Sequence, residues 1–223
     1  MAHQVTYDFS GKVAIVTGGT RGLGRQIAAR LAEAGCAVAV CGRSAPDDLP
    51  AGISFYQADV RDAEQAKAFV DAVVAQHGRL DILVNNAGGS PASAVAEASP
   101  RFVDAILKLN MVGPLYMAQA AYPHMAAQKG GSIINIASVS GARPSPGTTI
   151  YGMAKAGLIN MTQSLAQEWG RDAIRVNAII AGLMTTENAE ATYGDAAAQA
   201  AVGQSMPLGA WGRGMIWLEP CSG

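Results

Sequence analysis

Tyr151 and Lys155 stand four residues apart in IYGMAKAGL (150–158), a run of small and apolar residues that reads as the start of a helix. At that spacing a phenol and an ammonium share one helix face. A tyrosine with an ordinary pKa of about 10 is a sluggish acid or base at neutral pH, so a working phenol needs a cation beside it. One unit charge at about 6 Å, in an effective dielectric of about 20, supplies roughly 3 kcal/mol, or about two pKa units. Ser138 ends an apolar run thirteen residues earlier and can donate to a carbonyl or alkoxide oxygen. Asn110 is a candidate to hold a water beside Lys155. The chemistry open to these four is proton transfer at a carbonyl or alcohol oxygen. Alone, YxxxK also describes a snorkelling lysine beside a core tyrosine.

Such a group needs a scaffold, and the chain alternates Val- and Ile-rich runs with longer amphipathic stretches. The runs are 12–17, 37–41, 53–58, 81–85, 132–138 and 174–180; the helical patterns cover 22–34, 62–77, 100–128 and 151–169. Strands apolar on both faces argue for a parallel sheet covered by helices on both sides, an α/β doubly wound fold. There is no internal repeat or linker, so residues 1–223 read as a single domain. In such folds ligands bind beyond the carboxyl ends of the strands. Gly or polar clusters follow each run: TGGTRGLG (17–24), GRS (42–44), DV (59–60), NNAG (85–88), SVSG (138–141) and AGLMTTE (181–187).

Gly18, Gly22 and Gly24 follow a strand and open a helix, where backbone amides and the helix dipole can face a pyrophosphate; a plain tight turn is the alternative. Where a ribose-binding acid would end the second strand stands Arg43, and Arg21 lies inside the glycine loop. Two guanidiniums near one ribose suit a 2′-phosphate and favour NADP(H) over NAD(H); solvated surface arginines are the plainer reading. Asp59 is either an acceptor for an adenine amino group or a helix cap, with Asp62 also available for capping. Asn86 can hold neighbouring strands, and Gly88 lets a ribose approach the backbone.

Other classes are excluded by what surrounds these residues. Sixteen basic and seventeen acidic residues, scattered to a net charge of −1, offer no basic stripe for nucleic acid. The charge-poor stretch 109–128 is broken by Asn110, Pro114, Gln119, Pro123 and His124, so a buried interface helix fits it better than a membrane span. No signal peptide opens the chain, which makes the cytoplasm the expected compartment. Cys36 and Cys41 lie about 16 Å apart on opposite faces of one strand, beyond disulfide reach. The three histidines are scattered and no metal site is expected. GxSxG and GxxxxGK[ST] are both absent.

TGGTRGLG, Asp59, NNAG, Asn110, Ser138, YGMAK and RVNAIIAG together, in order and spacing from about residue 10 to 213, resemble the short-chain dehydrogenase/reductase family. The resemblance implies a Rossmann-type sheet and a catalytic tetrad of Asn110, Ser138, Tyr151 and Lys155. Tyr151 would be the acid or base, Lys155 would also hold the nicotinamide ribose, and Ser138 would orient the substrate oxygen. It implies a cofactor cleft formed by Gly18, Thr20, Arg21, Gly22, Leu23 and Gly24 on the first loop, and by Arg43, Asp59 and Val60. Asn86, Ala87 and Gly88, then Tyr151 and Lys155, and finally Gly182, Met184 and Thr186 complete it. It further implies hydride transfer between a nicotinamide and a ketone or secondary alcohol, as in 3-oxoacyl reductases, and a homodimer or homotetramer formed through 100–128 and 151–169.

The chain departs from that family pattern in two places. Ala181 stands where a proline usually precedes Gly182. After MPLGAWGR (206–213) the chain reads GMIWLEPCSG, unlike the family's last helix and edge strand, so the tail at 214–223 is expected to reflect truncation with the last edge strand missing. That makes a tetramer doubtful and leaves a second reading, a non-catalytic cofactor-binding or unstable fragment.

Overall fold

A computed structural model describes residues 7–182 and 195–204. Six parallel strands form one sheet in the order β3-β2-β1-β4-β5-β6, with the crossover at β1 and β4 that defines the doubly wound topology. The strands are β1 (Val13–Thr17), β2 (Ala37–Gly42), β3 (Ile53–Gln57), β4 (Ile82–Asn85), β5 (Gly131–Ser138) and β6 (Ile174–Ala181). The helices are α1 (Gly22–Glu33), α2 (Ala63–His77), α3 (Pro100–Leu107), α4 (Gly113–Ala127), α5 (Thr149–Trp169) and α6 (Ala196–Gln204).

Each strand buries both faces because its side chains alternate. Val13 and Ile15 of β1 join a core with Phe69, Val70 and Val73 of α2, Met117 and Met125 of α4, and Leu165 and Trp169 of α5. Ala14 and Val16, the intervening residues, pack with Val38 and Val40 of β2 and Ala28 of α1. Burying one large apolar side chain stabilises by roughly 1.5–3 kcal/mol, so the continuous apolar runs are the main determinant of the sheet. Cys36 and Cys41 fall in different cores, on opposite faces, and both are free.

Helix ends follow local chemistry. The Asp62 carboxylate accepts from the N–H groups of Glu64 and Gln65 and so caps α2, while Gly78, at φ 76°, stops it. Ser99 caps α3 ahead of Pro100. The single helical pattern over 100–128 resolves into α3, a wide turn at Lys108–Val112, and α4. In that turn Gly113 N–H reaches the carbonyl of Lys108, five residues back. The charge-poor stretch is an internal helix in which Met117, Ala118, Ala121 and Met125 are buried. Among the described residues no helix is long and apolar enough to cross a membrane.

Candidate active site

The polar clusters read from the sequence gather at the carboxyl edge of the sheet. Gly18 and Gly22 adopt φ of +62° and +56°, a region open to glycine at little cost. Gly24 is there for space: a Cβ on it would lie 2.3 Å from Asn86 Nδ2 and 2.4 Å from Gly18 O. α1 starts at Gly22 after an extended Arg21 that supplies no side-chain cap, so its first-turn N–H groups face the loop unclaimed by a side chain. Asn86 Nδ2 donates to Thr17 O and Gly18 O at 3.0 and 3.3 Å, fastening the end of β4 to the glycine loop as expected of a strand-holding residue.

Arg21 and Arg43 are both exposed, and among the described residues neither forms an ion pair. Thr20 flanks the end of β2, its Cγ2 3.4 Å from where a Cβ on Gly42 would stand. Asp59 is not a helix cap, since Asp62 fills that role. Its carboxylate accepts from Arg61 Nε at 2.9 and 3.0 Å and Nη2 at 2.5 Å, and these bonds hold it below the ordinary carboxylate range. Asp59, Arg61, Asp62, Gln65, Ala105 and Lys108 line a cavity of about 320 Å³, while Val60 beside them is buried in the core.

Across the switch point, Lys155 is 3% exposed, and its Nζ donates to Ile136 O at 2.7 Å. Burial pushes its pKa down to about 8. The same Nζ lies 5.6 Å from the centroid of the Tyr151 ring, so phenol and ammonium face one another across one helical turn. A Cβ on Gly88 would fall 2.7 Å from Asn110 Oδ1 and 3.3 Å from Lys155 Nζ, so glycine leaves open a recess at which these two side chains converge. A group that must lie against backbone beside a cation, such as a ribose, fits that recess.

Asn110 has a first task other than holding water. Fully buried, it donates through Nδ2 to Gly89 O at 2.9 Å and Ile106 O at 3.0 Å, and accepts from Gly89 N–H at 2.8 Å. It therefore ties the loop after β4 to the wide turn. Ser138, half-buried at the end of β5, accepts through Oγ from Ser140 N–H at 3.2 Å, which leaves its own proton to give. Gly141 packs on α5, where a Cβ would lie 2.6 Å from the Lys155 carbonyl carbon, so the turn after β5 and the start of α5 form one unit.

Two participants escaped the sequence reading. Thr17 Oγ1 accepts from the N–H groups of both Asn86 and Ala87 at 3.0 Å; a hydroxyl closing an otherwise apolar strand was its only signal. A Cβ on Gly19 would meet Val40 at 2.4 Å, a contact that no local pattern encodes. Leu23 packs with the α1 core and Gly182 follows β6, whereas Met184, Thr186 and the tail at 214–223 lie outside the described residues. Among the described residues no group of side chains could hold a metal ion.

The family model for short chain dehydrogenases matches residues 12–196. The chain is 36% identical over 214 residues to the 2-dehydro-3-deoxy-D-gluconate 5-dehydrogenase of Escherichia coli, covering 92% of this chain and 85% of that protein. It is 38% identical over 190 residues to a 3-oxoacyl-(acyl-carrier-protein) reductase of Staphylococcus aureus, covering 81% and 77% respectively. A solved dehydrogenase/reductase from Sinorhizobium meliloti superposes with a TM-score of 0.84 at 31% identity, covering 94% of this chain and 85% of that one.

Proposed function

The chain belongs to the short-chain dehydrogenase family and is an oxidoreductase; from that premise we propose that it interconverts a ketone and a secondary alcohol, in the manner of a 3-oxoacyl reductase, with NADP(H) as cofactor. The observation that carries this reading is the buried Lys155 ammonium, held by Ile136 O and facing the Tyr151 ring 5.6 Å away.

When bound, a reduced nicotinamide supplies the hydride that a ketone carbon needs. The chain's own residues would hold it: backbone amides at the start of α1 take the pyrophosphate, and the recess over Gly88 takes a ribose against Lys155 and Asn110. Ser138 donates its free proton as a hydrogen bond to the ketone oxygen, which fixes that oxygen and stabilises charge developing on it. Tyr151 gives its phenolic proton to the same oxygen. Lys155 stabilises the anion left on Tyr151, because an opposite charge in a dry site interacts strongly. Asn110 acts one step back, keeping the Gly88–Gly89 backbone in place.

The NADP(H) preference is supported by Arg21 and Arg43, two exposed guanidiniums with no carboxylate partner among the described residues, near an Asp59 already occupied by Arg61. Association with a second copy through α4 and α5 belongs to the same reading, and Met153, 53% exposed on α5, supports it. The deciding test is NADPH absorbance followed with a panel of ketones, in parallel with NADH. Turnover faster with NADPH is expected; binding of NADPH without turnover of any ketone overturns the enzyme reading.

A further inference from the structure

Three hydroxyl groups unused by the reaction above line the turn between β5 and α5. Ser145 Oγ donates to Ser140 Oγ at 3.0 Å and pairs with Thr148 Oγ1 at 2.6 Å. A hydroxyl has one proton to give. Because Ser145 gives its proton to Ser140, Thr148 must be the donor to Ser145. The relay thus runs one way, from Thr148 through Ser145 to Ser140, and it leaves Ser140 to donate its own proton outside the relay.

The end of that relay stands between two groups of the candidate active site. Ser140 N–H donates to Ser138 Oγ, so the Ser140 hydroxyl is within one side chain's length of Ser138. On the other side the relay rests on the first turn of α5. A Cβ on Gly152, the residue after Tyr151, would lie 2.7 Å from Ser140 O and 3.6 Å from Ser145 Cβ. Ser93 N–H donates to Gly147 O at 2.8 Å, which ties the loop after β4 to the same turn. All three hydroxyl residues are half-buried, neither lost in the core nor free in solvent.

We propose that Ser140 is a second hydrogen-bond donor to the substrate, oriented by Ser145 and Thr148. It selects ketones that carry an acceptor oxygen two or three bonds from the reacting carbonyl carbon, such as 3-oxo esters and hydroxy ketones. Ser138 takes the reacting oxygen, and Ser140 takes the second one. This rests on the ketone-reductase reading of the site.

The test compares ethyl 3-oxobutanoate with 2-heptanone, a ketone lacking the second oxygen, on wild type, Ser140→Ala, Ser145→Ala and Ser145→Thr, each checked by thermal melting. One neutral hydrogen bond corresponds to a three- to tenfold effect. Ser140→Ala should raise KM for ethyl 3-oxobutanoate by about that factor and move 2-heptanone distinctly less. Ser145→Ala should shift the same ratio by a smaller factor, and Ser145→Thr, which keeps the hydroxyl, should restore it. Equal losses on both ketones, or none on either, overturn the inference. Wild type that turns over neither ketone refutes the reductase reading instead. Calorimetric binding of ethyl 3-oxobutanoate to the NADPH-loaded proteins then still decides the inference, since Ser140→Ala must bind it more weakly than wild type.

Discussion

The two halves of the sheet meet a ligand with different materials. On the β1–β3 side the work falls to backbone: glycines at positive φ, an α1 terminus without a side-chain cap, and Gly24 packed where no Cβ fits. On the β4–β6 side it falls to buried polar side chains. Asn85 Nδ2 donates to Asn135 Oδ1, Asn135 Nδ2 donates to Thr162 Oγ1, and Lys155 donates to the carbonyl of the next β5 residue. A phosphate is met by fixed amides at no desolvation cost in side chains, whereas moving a proton needs groups that can change charge. Asn85 Oδ1, buried without a partner among the described residues, shows that the second strategy leaves costs the first avoids.

Substitutions can separate the halves. The largest effect belongs to Tyr151→Phe: turnover should fall by about 10²–10⁴-fold while NADPH affinity, read by fluorescence titration, changes little. A parallel loss of affinity would mean that the halves are not separable. Next comes the charge on Lys155. Its folded pKa, about 8, lies below the free value of 10.5, so between those limits the unfolded chain binds the extra proton and stability rises with pH. Lys155→Met removes that dependence. The variant should be more stable than wild type at pH 7 by on the order of 3 kcal/mol, less what the Ile136 bond contributes, and the gap should narrow from pH 8 to pH 10. Urea midpoints for both chains across that range check it, and parallel curves would place the ammonium in contact with water.

On the backbone side the effects are smaller. Gly24→Ala should weaken NADPH binding and cost about 1–3 kcal/mol of stability, because the methyl meets Gly18 O, which is backbone and cannot swing aside. Gly170→Ala, with nothing within 4 Å of the new atom, is its control in the same melting experiment. Smallest is Arg43→Ala, expected to raise KM for NADPH about tenfold and leave KM for NADH nearly unchanged, the signature of one charge-assisted bond to a 2′-phosphate. A matching rise with both cofactors would assign Arg43 to packing.

The two halves also differed in how much the sequence disclosed. All six strands fall within one residue of their runs of Val and Ile, because burial on both faces demands apolar residues throughout, and α1, α2 and α5 follow their periodicity closely. The site was legible where a residue type is itself the signal, as for the glycine loop and the pairing of Tyr151 with Lys155. It was not legible where the partner lies far along the chain. Asn110 reads as a polar interruption in an apolar helix, and only the fold brings Gly89 to it. The bonds between Arg61 and Asp59 were missed for a different reason: two residues apart, they look like an exposed loop until the cavity beside them exists.

The wide turn at Lys108–Val112 stores one residue of slack between α3 and α4. Asn110 fills the gap this opens, its amide taking the Ile106 carbonyl that even winding would give to a backbone N–H. Remove any one residue there and the winding closes up, but each position turns by about 100°. With α3 held, Met117 and Met125 would rotate out of the core; with α4 held, the residues before the turn would rotate instead. Chain length across these few positions is therefore pinned from both directions, more tightly than their identities are, and drift in this stretch must proceed by exchange of residues and not by loss.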